Sequence, residues 1–183
     1  MSRRHFLAAL LIAAFGVFSG PSAGDEDLRV TSLAKDRQVF VSLSLANALT
    51  RELRQAIDSG LSATITYVVE LRRPHTLWFD ATIASATVTA TVRFDNLTRR
   101  HQLSRTIDGR GEEPRMTEDE NEVRRWLTEL DRLPLFSTVP LEANTEYYVK
   151  VRAHARPRVG HLFFWPWGRG GKTGYTPRFT VVH

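Results

Sequence analysis

The chain has 183 residues, with 25 Lys and Arg against 20 Asp and Glu, and it contains no cysteine. This length suits one domain, and the lack of cysteine excludes disulfides, a lipid anchor on cysteine, and thiol ligands or nucleophiles. The net charge of +5 is small and is not gathered in one basic block, so the sequence predicts no binding to nucleic acid.

The first 24 residues are typical of a secretory signal peptide. Residues 2–5 (SRRH) are basic, residues 6–18 are an apolar run of 13, and residues 19–24 (SGPSAG) are small and turn-forming. An apolar run of this length is too short to span a bilayer comfortably. We therefore predict a signal peptide at residues 1–24 and a single domain at residues 25–183, located in the periplasm or cell envelope. An uncleaved anchor that holds the domain at the membrane is the alternative.

Residues 2–7 (SRRHFL) also match most of the twin-arginine export motif, with Ala8 in place of its lysine. Twin-arginine signals are read by a receptor and do not anchor the protein. The twin-arginine route and the general secretory route both remain open. Removal of the signal takes away Arg3 and Arg4 and no acid, which lowers the net charge to +3.

Alternation of apolar and polar residues predicts the strands in the first half of the chain. Residues 28–33 (LRVTSL) are predicted as a first short strand, and residues 39–45 and 63–72 each show this period of two. Between the last two, the period becomes helical, with Thr50 as the capping residue and Gly60 as the terminator. This half therefore predicts strand, strand, short helix and strand.

The second half predicts longer strands and one more helix. A long strand at 77–95, rich in threonine and valine, is followed by a returning strand at 100–107. A polar loop at 108–119 precedes a helix with a capping box at Thr117 and Glu120. The remaining predictions are that Pro134 ends this helix, that 135–141 is extended, that 145–155 is a strand, that 156–177 is a loop, and that 178–182 is the final strand.

Strands outnumber helices, and most neighbours favour antiparallel pairing. We predict a mainly β fold, an antiparallel β-sandwich that is immunoglobulin-like in general shape, with about seven to nine strands and two short α-helices. A single curved sheet with helices on one face is the alternative.

Segments spread along the chain resemble a known family. In order they are residues 46–50 (ANALT), 59–61 (SGL), 67–71 (YVVEL), 78–80 (WFD), 94–97 (FDNL), 126–127 (WL) and 147–151 (YYVKV). Their order and spacing resemble the exported bacterial family called domain of unknown function 4390, over about residues 28–179. The resemblance implies a β-rich exported domain. It carries no established activity, so it transfers no catalytic residue.

The sequence predicts no catalytic residue, no metal site and no cofactor. No pair of histidines has metal-ligand spacing, and no G-x-S-x-G motif occurs. Residues 168–173 (GRGGKT) lack the spacing of a phosphate-binding loop. The one acid of chemical interest is Asp80, because the neighbouring Trp78 and Phe79 favour a raised carboxyl pKa. With a second carboxylate brought close by the fold, Asp80 would suit a hydrolase of envelope polymers, although a turn or capping role is the competing interpretation.

The strongest functional signal is a segment that combines aromatic and basic side chains. Such a segment suits a membrane interface with anionic lipid, or the stacking of sugars or of a partner protein. It also suits a hairpin that folds its aromatic rings over an open end of the sandwich. The predicted binding residues are Phe163, Phe164, Trp165, Trp167, Arg169 and Lys172, together with Tyr148, Lys150 and Arg152 on the wet face of the preceding strand.

We therefore expect an exported, non-enzymatic binding module. Its expected partner is an envelope protein or the membrane surface, without nucleic acid and without a cofactor, and its oligomeric state stays open. The hydrolase is the alternative function. A third possibility is an assembly factor that pairs an exposed sheet edge with another chain.

Overall fold

The computed structural model describes residues 27–75, 79–157 and 171–181. In this part of the chain there are eleven β-strands and two α-helices. In chain order they are β1 (Leu28–Lys35), β2 (Gln38–Leu45), α1 (Arg51–Asp58), β3 (Ala63–Arg73), β4 (Ala81–Asp95), β5 (Arg100–Ile107), β6 (Arg110–Gly111), β7 (Arg115–Thr117), α2 (Glu120–Thr128), β8 (Glu129–Ser137), β9 (Glu146–Pro157), β10 (Lys172–Tyr175) and β11 (Phe179–Thr180). The predicted signal peptide at residues 1–24 lies outside the described residues. Among those that are described, no helix is long and apolar enough to cross a membrane.

The strands form two antiparallel sheets. The smaller sheet has the order β1-β2-β8, and the larger has the order β10-β9-β3-β4-β5-β6, with β7 paired to β5 and β11 paired to β9. The apolar faces of both sheets contribute to one hydrophobic core. This arrangement confirms the predicted fold class, mainly β with antiparallel sheets and two short helices.

The period-two patterns place one apolar face of each long strand in the core. In β3 the alternate residues from Ala63 to Leu71 have no exposed surface, and in β9 the alternate residues from Tyr147 to Ala153 are also buried. Because successive side chains of a strand point to opposite sides, the intervening residues of β3 and β9 face solvent. The predicted faces of these strands are confirmed.

Helix α1 begins and ends where the sequence predicts. The Thr50 hydroxyl oxygen accepts a hydrogen bond from the Leu53 amide at 3.3 Å, which satisfies one of the free donors of the first turn. Gly60 has φ of +79°, a conformation that costs glycine little and other residues more. Leu53 and Ile57 are buried against the core.

The predicted bounds of helix α2 are wrong at both ends. The N-cap is Asp119, whose side chain accepts a bond from the Asn121 amide at 2.8 Å. Thr117 lies in β7 opposite His101, so its backbone belongs to the sheet and it does not cap the helix. The helix stops at Thr128, and Pro134 lies inside β8, opposite Phe40 of β2.

Two side-chain hydrogen bonds attach α2 to the large sheet. The Tyr67 hydroxyl donates to the Leu127 carbonyl at 2.6 Å, and the Trp126 indole N–H donates to the Ser104 carbonyl at 3.2 Å. Tyr67 is fully buried, and desolvation raises its pKa. The two rings therefore fix the helix to two strands of the large sheet, β3 and β5, which lie on either side of β4.

Several predicted loops contain short strands. The 108–119 segment includes β6 and β7, and the 156–177 segment includes β10. The long strand begins at Ala81 instead of residue 77, and the last strand is shorter than predicted. Short strands have too few residues to show a period of two. Whether such a segment forms a strand depends on the neighbouring strand with which it pairs.

Candidate functional site

The large sheet brings three of the predicted binding residues together on its solvent-facing side. Tyr148, Lys150 and Arg152 alternate along β9 and lie opposite residues 72, 70 and 68 of β3. On the other side of β9, Lys150 lies opposite Tyr175 of β10. We call this group the outer cluster. Its members are Glu70, Arg72, Asp80, Tyr148, Lys150, Arg152 and Tyr175.

Glu70 is the charged centre of the outer cluster. Its side chain is only 13% exposed, and it forms ion pairs with Arg152 and, at 3.7 Å, with Arg72. A carboxylate so far removed from water needs opposite charges close by. The two guanidinium groups supply them, so part of the cationic charge on this face is already balanced.

Asp80 is held by three hydrogen bonds at the end of the outer cluster. Its carboxylate accepts from the Tyr148 hydroxyl at 2.6 Å and from the His75 amide at 3.1 Å, while its carbonyl accepts from Arg72 at 2.7 Å. The bond from Tyr148 and then that from His75 lower the pKa of Asp80. The predicted raised pKa is therefore wrong, because donors surround the carboxylate. An ionised Asp80 does not suit the general acid that the hydrolase alternative requires.

The bond between Tyr148 and Asp80 predicts a pH effect that can be measured. Burial, and then the hydrogen bond to Asp80, raise the pKa of Tyr148 to about 12. A raised folded-state pKa stabilises the fold fully below the ordinary tyrosine value of about 10, and this stabilisation is lost as the pH rises toward 12. The lowered pKa of Asp80 acts at the other end, since its contribution is lost as the pH falls below its ordinary value of 3.8.

We expect Asp80→Asn to lower the pKa of Tyr148, because the substitution removes a negative charge beside the hydroxyl. Nuclear magnetic resonance of ring-labelled tyrosine measures this titration directly. Asp108→Asn is the matched control, since Asp108 accepts a bond from the Thr87 amide and contacts no tyrosine hydroxyl among the described side chains. An unchanged Tyr148 titration in Asp80→Asn would contradict the coupling.

Two tyrosine rings lie side by side in the outer cluster. The centroids of Tyr148 and Tyr175 are 6.2 Å apart with planes tilted by 47°, and the Lys150 ammonium lies 5.7 Å from the Tyr175 ring. These are ordinary distances for an aromatic pair and a cation over a ring. The sequence pattern placed Tyr175 in a loop, and it becomes part of the cluster only because β10 pairs with β9.

Phe79 is a second residue that the sequence pattern did not assign to binding. The residue is 97% exposed, and it immediately precedes Asp80, which Tyr148 and Arg72 hold in place. Phe79 is a candidate binding residue because a large aromatic residue is exposed to water next to a residue that hydrogen bonds hold in place. Sequence alone favours burial for such a ring.

The structure separates Lys172 from the outer cluster. Lys172 lies opposite Ala153, a buried residue, and therefore faces the core side of the sheet, where its ammonium is 2.8 Å from the Asp27 carboxylate. Ala153 is five residues from Tyr148, about 16 Å along the strand. The other predicted binding residues, Phe163, Phe164, Trp165, Trp167 and Arg169, lie outside the described residues.

The described residues offer neither a metal site nor, at the β8 edge, a strand that is well suited to pair with another chain. Residues 27–75, 79–157 and 171–181 contain no group of three or more His, Asp or Glu side chains placed to hold a metal ion. Strand β8 lies at an edge of the small sheet, but it carries Pro134 and a residue with positive φ, Arg132 at +43°. Prolines and irregular backbone disfavour the addition of another strand at this edge.

Comparison with known families identifies the chain. Residues 26–157 match the family described as domain of unknown function (DUF4390). The chain belongs to this family. The resemblance found in the sequence is thereby confirmed. No curated protein and no solved structure matches the chain.

The DUF4390 match divides the candidate surface. It includes β3 and β9, and with them Glu70, Asp80, Tyr148 and Arg152. It ends before β10, so Tyr175 and the aromatic-basic segment at 163–172 lie beyond the matched residues. The ion pairs of Glu70 and the hydrogen bonds of Asp80 in the outer cluster are therefore formed by residues of the DUF4390 region.

Proposed function

We propose that this DUF4390 protein is an exported binding module of the bacterial envelope and that it binds a partner protein. The contact surface consists of Phe79, Tyr148, Lys150 and Tyr175. The observation that carries the proposal is the ring of Phe79, which is 97% exposed beside the anchored end of the outer cluster. The signal-peptide pattern of residues 1–24 supports the envelope location.

The chemistry of this surface suits a protein partner. A few residues supply most of the binding energy at a protein interface, and aromatic residues, phenylalanine included, are enriched there. Phe79 follows this pattern because burying its ring removes a large apolar area from water. The hydrogen bonds that hold Asp80 restrict the adjoining backbone, so less conformational entropy is lost on binding. Lys150 and the tyrosine rings of the outer cluster add a cationic group and further aromatic area to the proposed contact surface.

Phe79→Ser is expected to weaken capture of the partner by about tenfold or more, the effect of losing one energetically important aromatic side chain. The tagged full chain is used to capture proteins from envelope extract, and the retained protein is quantified against bait concentration. Leu97→Ser is the matched control. Leu97 is 94% exposed, and the 15 residues of β4, about 50 Å of strand, separate it from Phe79. Equal capture by the two variants would contradict the proposal.

Vesicle flotation distinguishes a membrane surface from a protein partner. Full chain is mixed with phosphatidylglycerol vesicles, with and without the pair of substitutions Trp165→Ala and Trp167→Ala. The proposal predicts that capture of the protein partner depends on Phe79 and does not require vesicles. Flotation that the tryptophan substitutions abolish, combined with no Phe79-dependent capture, would replace the protein partner with a membrane surface. Unfolding of the double variant would assign the tryptophans to the core.

A further inference from the structure

The geometry points to a second site, a small pocket between α1 and α2 that binds a small zwitterion of the α-amino acid class. The pocket has a volume of about 170 Å³ and is bounded by the two helices and by His101 at the start of β5. A space of this size suits one small molecule. It uses none of the residues of the proposed contact surface, so it goes beyond the proposed function.

The floor of the pocket is apolar. Ile57 of α1 and Val123 of α2 line it, and both are buried, with 3% and 4% of their surface exposed. Leu49, which precedes α1, is half-buried and completes the floor. A short aliphatic side chain of a ligand would therefore lose contact with water against these three residues.

The rim of the pocket carries two acids and two bases. Each helix contributes one of each sign four residues apart, with Arg54 and Asp58 on α1 and Glu120 and Arg124 on α2. Residues four apart lie on the same side of a helix, so both pairs border the pocket. Among the described residues, none of these four groups has an opposite charge within 4.0 Å.

His101 adds a hydrogen-bond donor. Its ring lines the pocket and lies 4.9 Å from the Phe94 ring, while its Nδ1 atom is buried without a hydrogen-bond partner. A buried, unpartnered N–H is costly, so of the two ring nitrogens we assign a proton to Nε2. The Nε2–H group is then the donor that the ring can offer to a ligand carboxylate.

These features favour a ligand with both charges. A carboxylate fits the arginine guanidinium groups, which donate in a planar fork, and an ammonium fits Asp58 or Glu120. A ligand with only one charge would leave groups of the other sign facing it without a partner. An α-amino acid with an apolar side chain supplies both charges and an aliphatic group for the floor.

Calorimetric titration of the full chain with three related probes tests this ligand class. L-leucine carries both charges, 4-methylpentanoate lacks the ammonium, and isopentylamine lacks the carboxylate. We expect leucine to bind at least about tenfold more tightly than either analogue, since each analogue loses charge-assisted hydrogen bonds. Alanine, valine and phenylalanine are titrated beside leucine to about 10 mM, which detects even a millimolar Kd. Absence of binding by all four amino acids would overturn the inference, and so would equal binding of leucine and its analogues.

Substitutions then locate the site. Arg54→Gln and Glu120→Gln are each expected to weaken leucine binding about tenfold or more. Arg51→Gln and Glu122→Gln are the matched controls, because these residues lie on the same helices and do not line the pocket. Circular dichroism checks that all four variants are folded. Leucine binding that survives both rim substitutions would place the site elsewhere, and unchanged leucine binding in Phe79→Ser would show that the pocket and the proposed contact surface are independent.

Discussion

Trp126→Ala is expected to lower the free energy of unfolding by about 3–5 kcal/mol, the usual cost of removing a buried tryptophan ring. The ring is 8% exposed, and its N–H donates to the Ser104 carbonyl. The Arg105 guanidinium carbon lies 4.1 Å from the ring centroid. Arg105 is partly buried, and desolvation lowers its pKa. Loss of the ring would remove the aromatic surface on which this cation stacks, which adds to the cost of the substitution. Urea denaturation measures the loss of stability, provided that the slope of the unfolding free energy against urea concentration is the same in the variant and the unsubstituted protein.

Trp126→Phe is the control for the ring itself. It keeps an aromatic surface for Arg105 and most of the buried apolar area, but it loses the hydrogen bond to Ser104. We therefore expect a cost of about 1–2 kcal/mol, clearly smaller than that of the alanine variant. Equal losses in the two variants would show that the hydrogen bond, and not the packing of the ring, holds α2 on the sheet.

Gly174→Ala is expected to destabilise the fold by about 1–3 kcal/mol, because it forces an extra atom into closely packed backbone. A Cβ at this position would lie 2.6 Å from the Leu28 carbonyl oxygen and 2.8 Å from a methyl carbon of Val30. Gly174 lies in β10, and the two contacts lie in β1 of the other sheet. The substitution therefore tests the close approach of the two sheets at this edge, and chemical denaturation measures the loss.

Gly111→Ala is the matched control for this prediction. Gly111 also lies in a strand, β6, and a Cβ there would meet nothing within 4 Å. We expect a change within about 0.5 kcal/mol, as for an ordinary surface substitution. A loss in Gly111→Ala as large as that in Gly174→Ala would mean that the approach of β1 does not explain the effect, because alanine at an open strand position should leave stability unchanged or raise it slightly.

The long strands and the first helix could be predicted from the sequence, because their signals are local. Alternation in β3 and β9 arises whenever one face of a strand is buried, so it can be read from each strand alone. The Thr50 hydroxyl caps α1 by accepting a hydrogen bond from the amide of Leu53, only three residues away. The outer positions of Tyr148, Lys150 and Arg152 followed from the same alternation.

What the sequence did not show depends on contacts between distant residues. Thr117 has the spacing of a helix cap, but pairing of β7 with β5 draws its backbone into the sheet. Asp80 lies next to aromatic residues in sequence, yet its pKa is lowered by the Tyr148 hydroxyl, which is 68 positions away. Tyr175 joins the outer cluster through the pairing of β10 with β9. Each of these outcomes requires the register of two strands, which periodicity alone does not give.

Site-specific photo-crosslinking in intact cells tests the proposed contact surface most directly. A photoreactive phenylalanine analogue is placed at position 79 or at position 97 of the full chain, and crosslinked products are separated by mass. Both side chains are almost fully exposed, at 97% and 94%, so reaction with passing molecules should be similar. The proposal predicts a discrete protein adduct from position 79 and none from position 97. Equal products from both positions, or no adduct from position 79, would contradict a binding surface at this end of the sheet.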